Sequence, residues 1–180
     1  MVKEDSTKTE MDRAAMIHER WIIAGAIVLS ILLIGKFVPK ERAREAWVPF
    51  LSLGSITWIA GLFVVEMGWI HYPVQLFSIE NKVNESSFTF EFFLFPVLAI
   101  LFSIHYPSRK SLIVKWVYAI VFSGVFTVAE VILEAYTNLV RYDEWKWHWT
   151  FFSVMLVLMV NHQYVKWYKK GMVSKGDSHA

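Results

Sequence analysis

The sequence predicts an all-α integral membrane bundle of five transmembrane helices, with the N-terminus outside and the C-terminus inside. Hydrophobic residues make up 56% of the chain, whereas soluble domains have about 45–50%. The mean hydropathy is +0.40. The apolar residues fall in five segments, each close to the ~20 residues that a membrane-spanning helix needs. Short linkers separate them, so residues 21–170 are predicted to form a single transmembrane domain.

The five predicted spans follow one another along the chain, at 21–38, 47–70, 88–105, 112–136 and 149–168. Residues 1–20 carry mixed charge and are predicted to form a polar N-terminal tail, and residues 171–180 a polar C-terminal tail. Lys36 lies at the end of the first apolar segment and Pro39 and Lys40 follow it, where a cleaved signal peptide would have small residues. We therefore expect this segment to be a retained span.

The orientation follows from the basic residues of the linkers. The first and third linkers and the C-terminal end are rich in lysine and arginine, whereas the second linker has only Lys82. Because basic residues are enriched on the cytoplasmic side, the first group is predicted to lie inside. Tryptophan and tyrosine residues cluster near both ends of the spans, as expected for rings at a membrane interface.

Two carboxylates in the fourth span are the most informative polar residues. Glu130 and Glu134 are four residues apart, so they lie on one face of a helix. A carboxylate in hydrocarbon costs several kcal/mol, so such residues mark function or pairing. Glu66 near the end of the second span and Glu91 near the start of the third are expected at the same depth. The four together predict a carboxylate layer in the outer half of the membrane.

Partners for this layer are expected just outside the spans, at His71, Arg141 and His148. A structural interpretation stays open for the shallow glutamates, because carboxylates near helix ends reach interfacial water. In that interpretation Glu134 pairs with Arg141. Glu130 lies deepest, so a site is favoured there.

Other polar and small residues predict how the spans pack. Gly54, Gly61 and Gly68 recur every seven residues in the second span and allow close backbone approach. We therefore expect the second, third and fourth spans to meet along these faces. Pro96 is expected to kink the third span or to free a carbonyl near the carboxylates. Asn161 is expected to hydrogen-bond across helices.

Three functions remain open. The first is a non-enzymatic protein, a small transporter component or sensor, that binds a proton or a cationic group at the carboxylate layer. The second is an intramembrane enzyme acting on a lipid or prenyl substrate, with Glu130 or Glu134 as the general acid. The third is a structural accessory subunit whose acidic residues pair with another membrane protein.

Several site classes are not expected. The chain has no cysteine and no His-x-x-x-His or Glu-x-x-His pattern, so no metal site and no cofactor are predicted. A formal net charge of +2 gives no electrostatic case for nucleic acid. The expected partners are the lipid bilayer and either a partner membrane protein or further copies of this chain.

A further pattern of residues runs from Glu91 to the end of the fifth span. Its members are Pro96, Tyr106-Pro107, Lys110-Ser111-Leu112, Glu130, Glu134, Tyr136-Thr137, Leu139, Tyr142, Trp145, Trp147 and Trp149-Thr150. In these residues the segment resembles a family of small uncharacterised polytopic membrane proteins, of about five helices, from spore-forming Gram-positive bacteria. The resemblance implies this topology and a multi-pass location in the bacterial cytoplasmic membrane, and it implies no catalytic role.

Overall fold

The computed structural model describes residues 2–74 and 89–176, with the side chains of 17–74, 89–91 and 93–171. These parts are almost entirely helical, so the predicted all-α class is confirmed. The helices are α1 (Val2–Phe37), α2 (Ala43–Glu66), α3 (Phe95–His105), α4 (Leu112–Tyr136) and α5 (Trp147–Gly176). Shorter elements are a 3-10 turn (Lys40–Arg42), a π-helical segment (Thr89–Leu94) and two strands, β1 (Ile70–His71) and β2 (Arg141–Tyr142).

Three stretches within the described residues are long and apolar enough to cross a membrane, namely Ile17–Phe37, Lys40–Glu66 and Leu112–Tyr136. The third predicted span corresponds to a shorter apolar helix, Thr89–His105. Large apolar side chains cover the outward faces of four helices. Examples with more than half of the side chain exposed are Leu32 on α1, Ile59 on α2, Val125 on α4 and Leu156 on α5.

The helix ends differ from the predicted span ends. α2 ends at Glu66 and not at Ile70, because Gly68 adopts a φ of +70°, which terminates the helix. Glu66 is therefore the last residue of α2 and not a residue within it. α1 begins at Val2, so the described part of the predicted N-terminal tail is helical, and α5 continues to Gly176. Lys82 and most of the second linker lie outside the described residues.

Contacts at one end of the bundle, which we call the acidic end, join α1, α2 and the linker between α4 and α5. The Glu19 carboxylate accepts hydrogen bonds from the backbone N and the Nδ2 of Asn138, each at 2.8 Å. His71 bonds to the Asp143 carboxylate. Strands β1 and β2 pair antiparallel, with Ile70 opposite Tyr142. This pairing was not predicted.

Contacts at the opposite end, which we call the basic end, join the start of α2 to the ends of α3 and α5. Arg42 Nη1 donates to the Ile104 carbonyl at 3.3 Å. Lys169 Nζ donates to the Glu45 carboxylate. Because α1 ends and α2 begins here, whereas α2 ends at the acidic end, successive helices alternate in direction.

α2 packs mainly on α3, and α4 packs mainly on α5. The α2–α3 contact uses a predicted glycine, since a Cβ at Gly54 would lie 3.2 Å from Pro96 Cγ. α4 meets α3 through aromatic rings, such as Phe102 and Phe122 at 5.3 Å. The expectation that the second, third and fourth spans share the glycine face therefore applies only to α2 and α3.

Asn161, which is fully buried on α5, joins that helix to α2. Its Oδ1 accepts from Ser52 Oγ at 2.5 Å, and its Nδ2 donates to the Pro49 carbonyl at 3.3 Å. The predicted hydrogen bond across helices is therefore present. It fixes the relative position of α2 and α5 in the half of the bundle nearer the basic end.

Candidate functional site

A cavity of about 140 Å³ lies between α2, the π-helical segment, α4 and α5, towards the acidic end. Glu91 and Glu130 both line it. Glu91 is only 2% exposed, and Glu130 is partly buried. Two carboxylates from different helical segments therefore line one small cavity, and Thr57 and Thr150 also line it.

Glu91 is held by the backbone geometry of its segment. A π-helical hydrogen bond joins an amide to the carbonyl five residues earlier. Pro96 has no amide hydrogen, so the carbonyl of Glu91 receives no such bond from it. Thr57 Oγ1 on α2 donates to this carbonyl at 2.9 Å instead. Pro96 therefore frees a carbonyl at the carboxylates, as the sequence predicted, and this carbonyl ties the segment to α2.

Gly61 provides the space for the Glu91 side chain. A Cβ at position 61 would overlap the Glu91 carboxylate, so any side chain there would displace it. Gly61 and Thr57 are four residues apart and therefore share one face of α2. This face receives both the main chain and the carboxylate of Glu91.

Glu130 accepts two hydrogen bonds from residues that come after α4. The Tyr142 hydroxyl donates to Glu130 Oε1 at 2.6 Å, and Thr150 Oγ1 donates to the same oxygen at 3.2 Å. Trp145 Nε1 donates to Thr150 Oγ1 at 2.8 Å and so orients the threonine hydroxyl. The carboxylate is therefore fixed by a short network from β2, the following linker and the start of α5.

Two tyrosines keep their protons beside these carboxylates. Burial, the neighbouring Glu130 carboxylate and its hydrogen bond raise the pKa of Tyr142 far above its usual value. Burial also raises the pKa of Tyr72 well above its usual value, with further contributions from Glu91 and Glu130. Both phenols therefore remain neutral, and that of Tyr142 donates to Glu130. Tyr72 also lines the cavity, so it lies close to both glutamates.

The remaining predicted glutamates lie elsewhere. Glu66 is exposed at the end of α2. Glu134 is partly buried one turn beyond Glu130, and it is not among the described residues that line the cavity. Of the predicted four, the structure therefore brings together Glu91 and Glu130.

The predicted partners also lie outside the cavity. Arg141 is exposed, and its Nε lies 3.9 Å from Asp143 Oδ1. Among the ion pairs of the described residues, Arg141 contacts this aspartate and not Glu134. His71 also contacts Asp143. His148 lies between the rings of Trp147 and Trp149.

Sequence reasoning missed several residues of the site. The sequence singles out Tyr142 and Thr150 only through the resemblance, and it predicts Tyr72 and Trp145 only as aromatic rings at the outer membrane interface. Glu19, assigned to the tail, is 4% exposed and binds the α4–α5 linker. Its position next to the first apolar segment was a detectable signal, because an acid that packs there needs hydrogen-bond donors from another segment.

The site offers few oxygen ligands for a metal ion. In the part of the chain that the structure describes, no three histidine, aspartate or glutamate side chains come together as metal ligands. Carboxylate and hydroxyl oxygens are hard ligands, so two carboxylates with nearby hydroxyl groups suit a proton or a small cation. The arrangement can therefore hold a proton between two acids or neutralise a cationic group.

A second cavity, of about 400 Å³, lies between α1, α3 and α4, and its walls are almost entirely apolar. Leu29 and Leu33 contribute from α1, and Phe122 and Val125 from α4. Glu130 lines this cavity as well as the smaller one. Glu130 therefore lies in the wall that the two cavities share.

Comparisons with protein family models, with curated proteins and with solved structures found no match to this chain.

Proposed function

We propose that this chain is a five-span protein of the bacterial cytoplasmic membrane, with the acidic end outside and the basic end inside. The apolar outward faces of α1, α2, α4 and α5 support the lipid bilayer as their partner. Exposed aromatic residues at both ends support two interfaces. They are Trp21, Tyr136, Trp147 and Trp149 at the acidic end, and Trp47, Trp116 and Trp167 at the basic end.

Within the membrane the chain binds a proton or a cationic group between Glu91 and Glu130, as a small transporter component or a sensor. The observation that carries this proposal is that both carboxylates line the same cavity of about 140 Å³. Two ionised carboxylates that line one small cavity repel each other, and a shared proton or cation relieves the repulsion. A water molecule occupies about 30 Å³, so the cavity suits a guest of only a few heavy atoms.

Infrared difference spectroscopy on the purified chain in nanodiscs tests this proposal. A carboxyl band that changes with pH, or on addition of a monovalent cation, is expected in the wild type. Glu91→Gln and Glu130→Gln should each remove it. Glu66→Gln and Glu134→Gln are the matched controls and should keep it. An unchanged band in both cavity variants would contradict the proposal.

A second candidate function is an intramembrane enzyme that acts on a lipid or prenyl substrate. The apolar cavity of about 400 Å³ supports it, because this space fits a hydrocarbon chain and Glu130 lines its wall. Glu130 would then act as the general acid, since it reaches both cavities. A bulky substitution, Val125→Trp, should abolish lipid turnover in this case and leave the pH-dependent carboxyl band intact.

The accessory-subunit alternative receives less support. This alternative requires Glu130 to face outwards, where a partner helix would supply hydrogen-bond donors to its carboxylate. Glu130 instead accepts hydrogen bonds from Tyr142 and Thr150 within the same chain. Association with a partner membrane protein, or with further copies of this chain, would therefore use the apolar outer faces and not this carboxylate.

A further inference from the structure

The basic end holds an open cavity of about 1160 Å³ that the carboxylate site does not involve. The start of α2, the end of α3, the linker to α4 and the second half of α5 form its walls. Glu45 is the one carboxylate in the described lining. The basic side chains of the described lining are Arg42, Arg109, Lys110, Lys166, Lys169 and Lys170.

Membrane topology accounts for basic residues on this side but not for their convergence on one space. The positive-inside rule concerns which linkers are basic and not where the side chains point. Lys40 and Arg44 lie at the same end, are exposed and are not part of the described lining. The lining cations come from three separate segments of the chain. Their grouping therefore needs a further explanation.

A buried histidine in the wall provides a second, independent observation. His162 is 8% exposed and lines the cavity, and its Nδ1 has no hydrogen-bond partner among the described residues. The imidazole ring lies 3.9 Å from the Tyr106 ring, which also lines the cavity. A buried polar atom without a hydrogen-bond partner lowers the stability of the fold. Less than 1 Å² of Nδ1 is accessible, so a ligand oxygen in the cavity binds it after the imidazole ring turns.

The cations around Glu45 are already held in position. Arg42 Nε lies 3.4 Å from the Glu45 carboxylate, and its Nη1 donates to the Ile104 carbonyl. Lys169 donates to the same carboxylate. Glu45 therefore neutralises part of the basic charge and orients two cations at the rim. An anion that enters the cavity competes with Glu45 for both of them.

We propose that this cavity binds a phosphate group carried on a larger molecule. Guanidinium groups bind phosphate oxygens in pairs, and lysines add positive point charges. The cavity is larger than a free phosphate needs, so the phosphate belongs to a phospholipid headgroup or to a soluble phosphate ester. The chemistry of recognition is the same for both sources.

Calorimetry on the full chain, purified in an uncharged detergent, tests the proposal with inorganic pyrophosphate as the probe. The double variant Arg109→Gln/Lys110→Gln should weaken binding at least tenfold. The control Lys40→Gln/Arg44→Gln makes the same charge change at the same end, outside the lining, and should change binding less than twofold. Glu45→Gln should tighten binding, because it releases Arg42 and Lys169.

Short-chain phosphatidylglycerol, added as a competitor, separates the two sources. Displacement of pyrophosphate assigns the site to a lipid headgroup, and saturable pyrophosphate binding without displacement assigns it to a soluble phosphate ester. His162→Phe keeps the ring contact with Tyr106 and should weaken binding severalfold. The proposal is overturned if neither probe binds saturably, if the control variant loses as much as the cavity variant, or if Glu45→Gln weakens binding.

Discussion

The Glu91 carboxylate occupies the space that a side chain at Gly61 would fill. The buried acid and the glycine come from different helical segments, so each constrains the other. Close approach of α2 to the π-helical segment is what allows Glu91 to face the cavity. Gly61 is therefore a requirement of the site as well as of the helix packing.

Gly61→Ala should move the Glu91 carboxylate and destabilise the fold, because the added Cβ has no free space. Overpacking of this kind costs typically about 1–3 kcal/mol. Gly25→Ala is the matched control, since a Cβ at position 25 meets nothing within 4 Å. Thermal unfolding in detergent measures the difference. Equal melting temperatures for the two variants would show that Glu91 does not fill this space.

Tyr142→Phe should loosen Glu130, because it removes the closer of the two hydroxyl donors to this carboxylate. Loss of a hydrogen bond to a charged group costs about 1.5–3 kcal/mol. Tyr136→Phe serves as the control, since that side chain is 84% exposed. The carboxyl infrared band should shift in Tyr142→Phe and stay in place in Tyr136→Phe. A shift of the same size in both variants would remove Tyr142 from the site.

Stability should fall at alkaline pH because burial holds the protons of Tyr72 and Tyr142 in the folded chain. In the unfolded chain a tyrosine loses its proton near pH 10, so above about pH 10 the unfolded state binds fewer protons than the folded state. Each such tyrosine then lowers stability by up to about 1.4 kcal/mol per pH unit.

Melting temperatures measured from about pH 8 to pH 12 check this slope. Tyr142→Phe should flatten the decline above about pH 10, since it removes one of the two contributions. The double variant Tyr72→Phe/Tyr142→Phe should flatten it further. A decline as steep in the double variant as in the wild type would mean that other groups cause the alkaline loss of stability.

The proposed topology predicts which side of the membrane each linker faces. The chain has no cysteine, so a single introduced cysteine gives an unambiguous label. On intact cells, a membrane-impermeant maleimide should label Glu144→Cys at the acidic end and leave Ser111→Cys at the basic end unlabelled. Both should react after permeabilisation. Labelling of the two positions in intact cells would exclude the five-span arrangement.

The apolar segments were sufficient to predict the number and order of the described α-helices, because apolar length alone distinguishes a long buried or membrane helix from a linker. The end of α2 was wrong by four residues because hydropathy continues through Trp69 and Ile70, whereas Gly68 ends the helix by its backbone conformation. The β1–β2 pairing was missed because two-residue strands carry no periodicity.

From the sequence, only the acidic residues of the candidate site could be predicted. Glu91 and Glu130 stand out because carboxylates in apolar segments are costly. Their convergence depends on how α2, α4 and the π-helical segment pack, and spacing along the chain does not contain that information. Tyr72 and Thr150 lie outside the helix of either acid, so no local pattern links them to the site.

The direction in which Glu91 points depends on how many residues the π-helical segment contains, and not only on which residues they are. A π-helical turn contains one more residue than the α-helical turn it replaces. Each residue of an α-helix advances by about 100° around the axis. Deletion of one residue between Glu91 and Pro96, with Pro96 kept against Gly54, would therefore rotate Glu91 by roughly a quarter of a turn or more, away from Glu130. A single codon, added or lost, would decide whether the chain has one acid in the cavity or two.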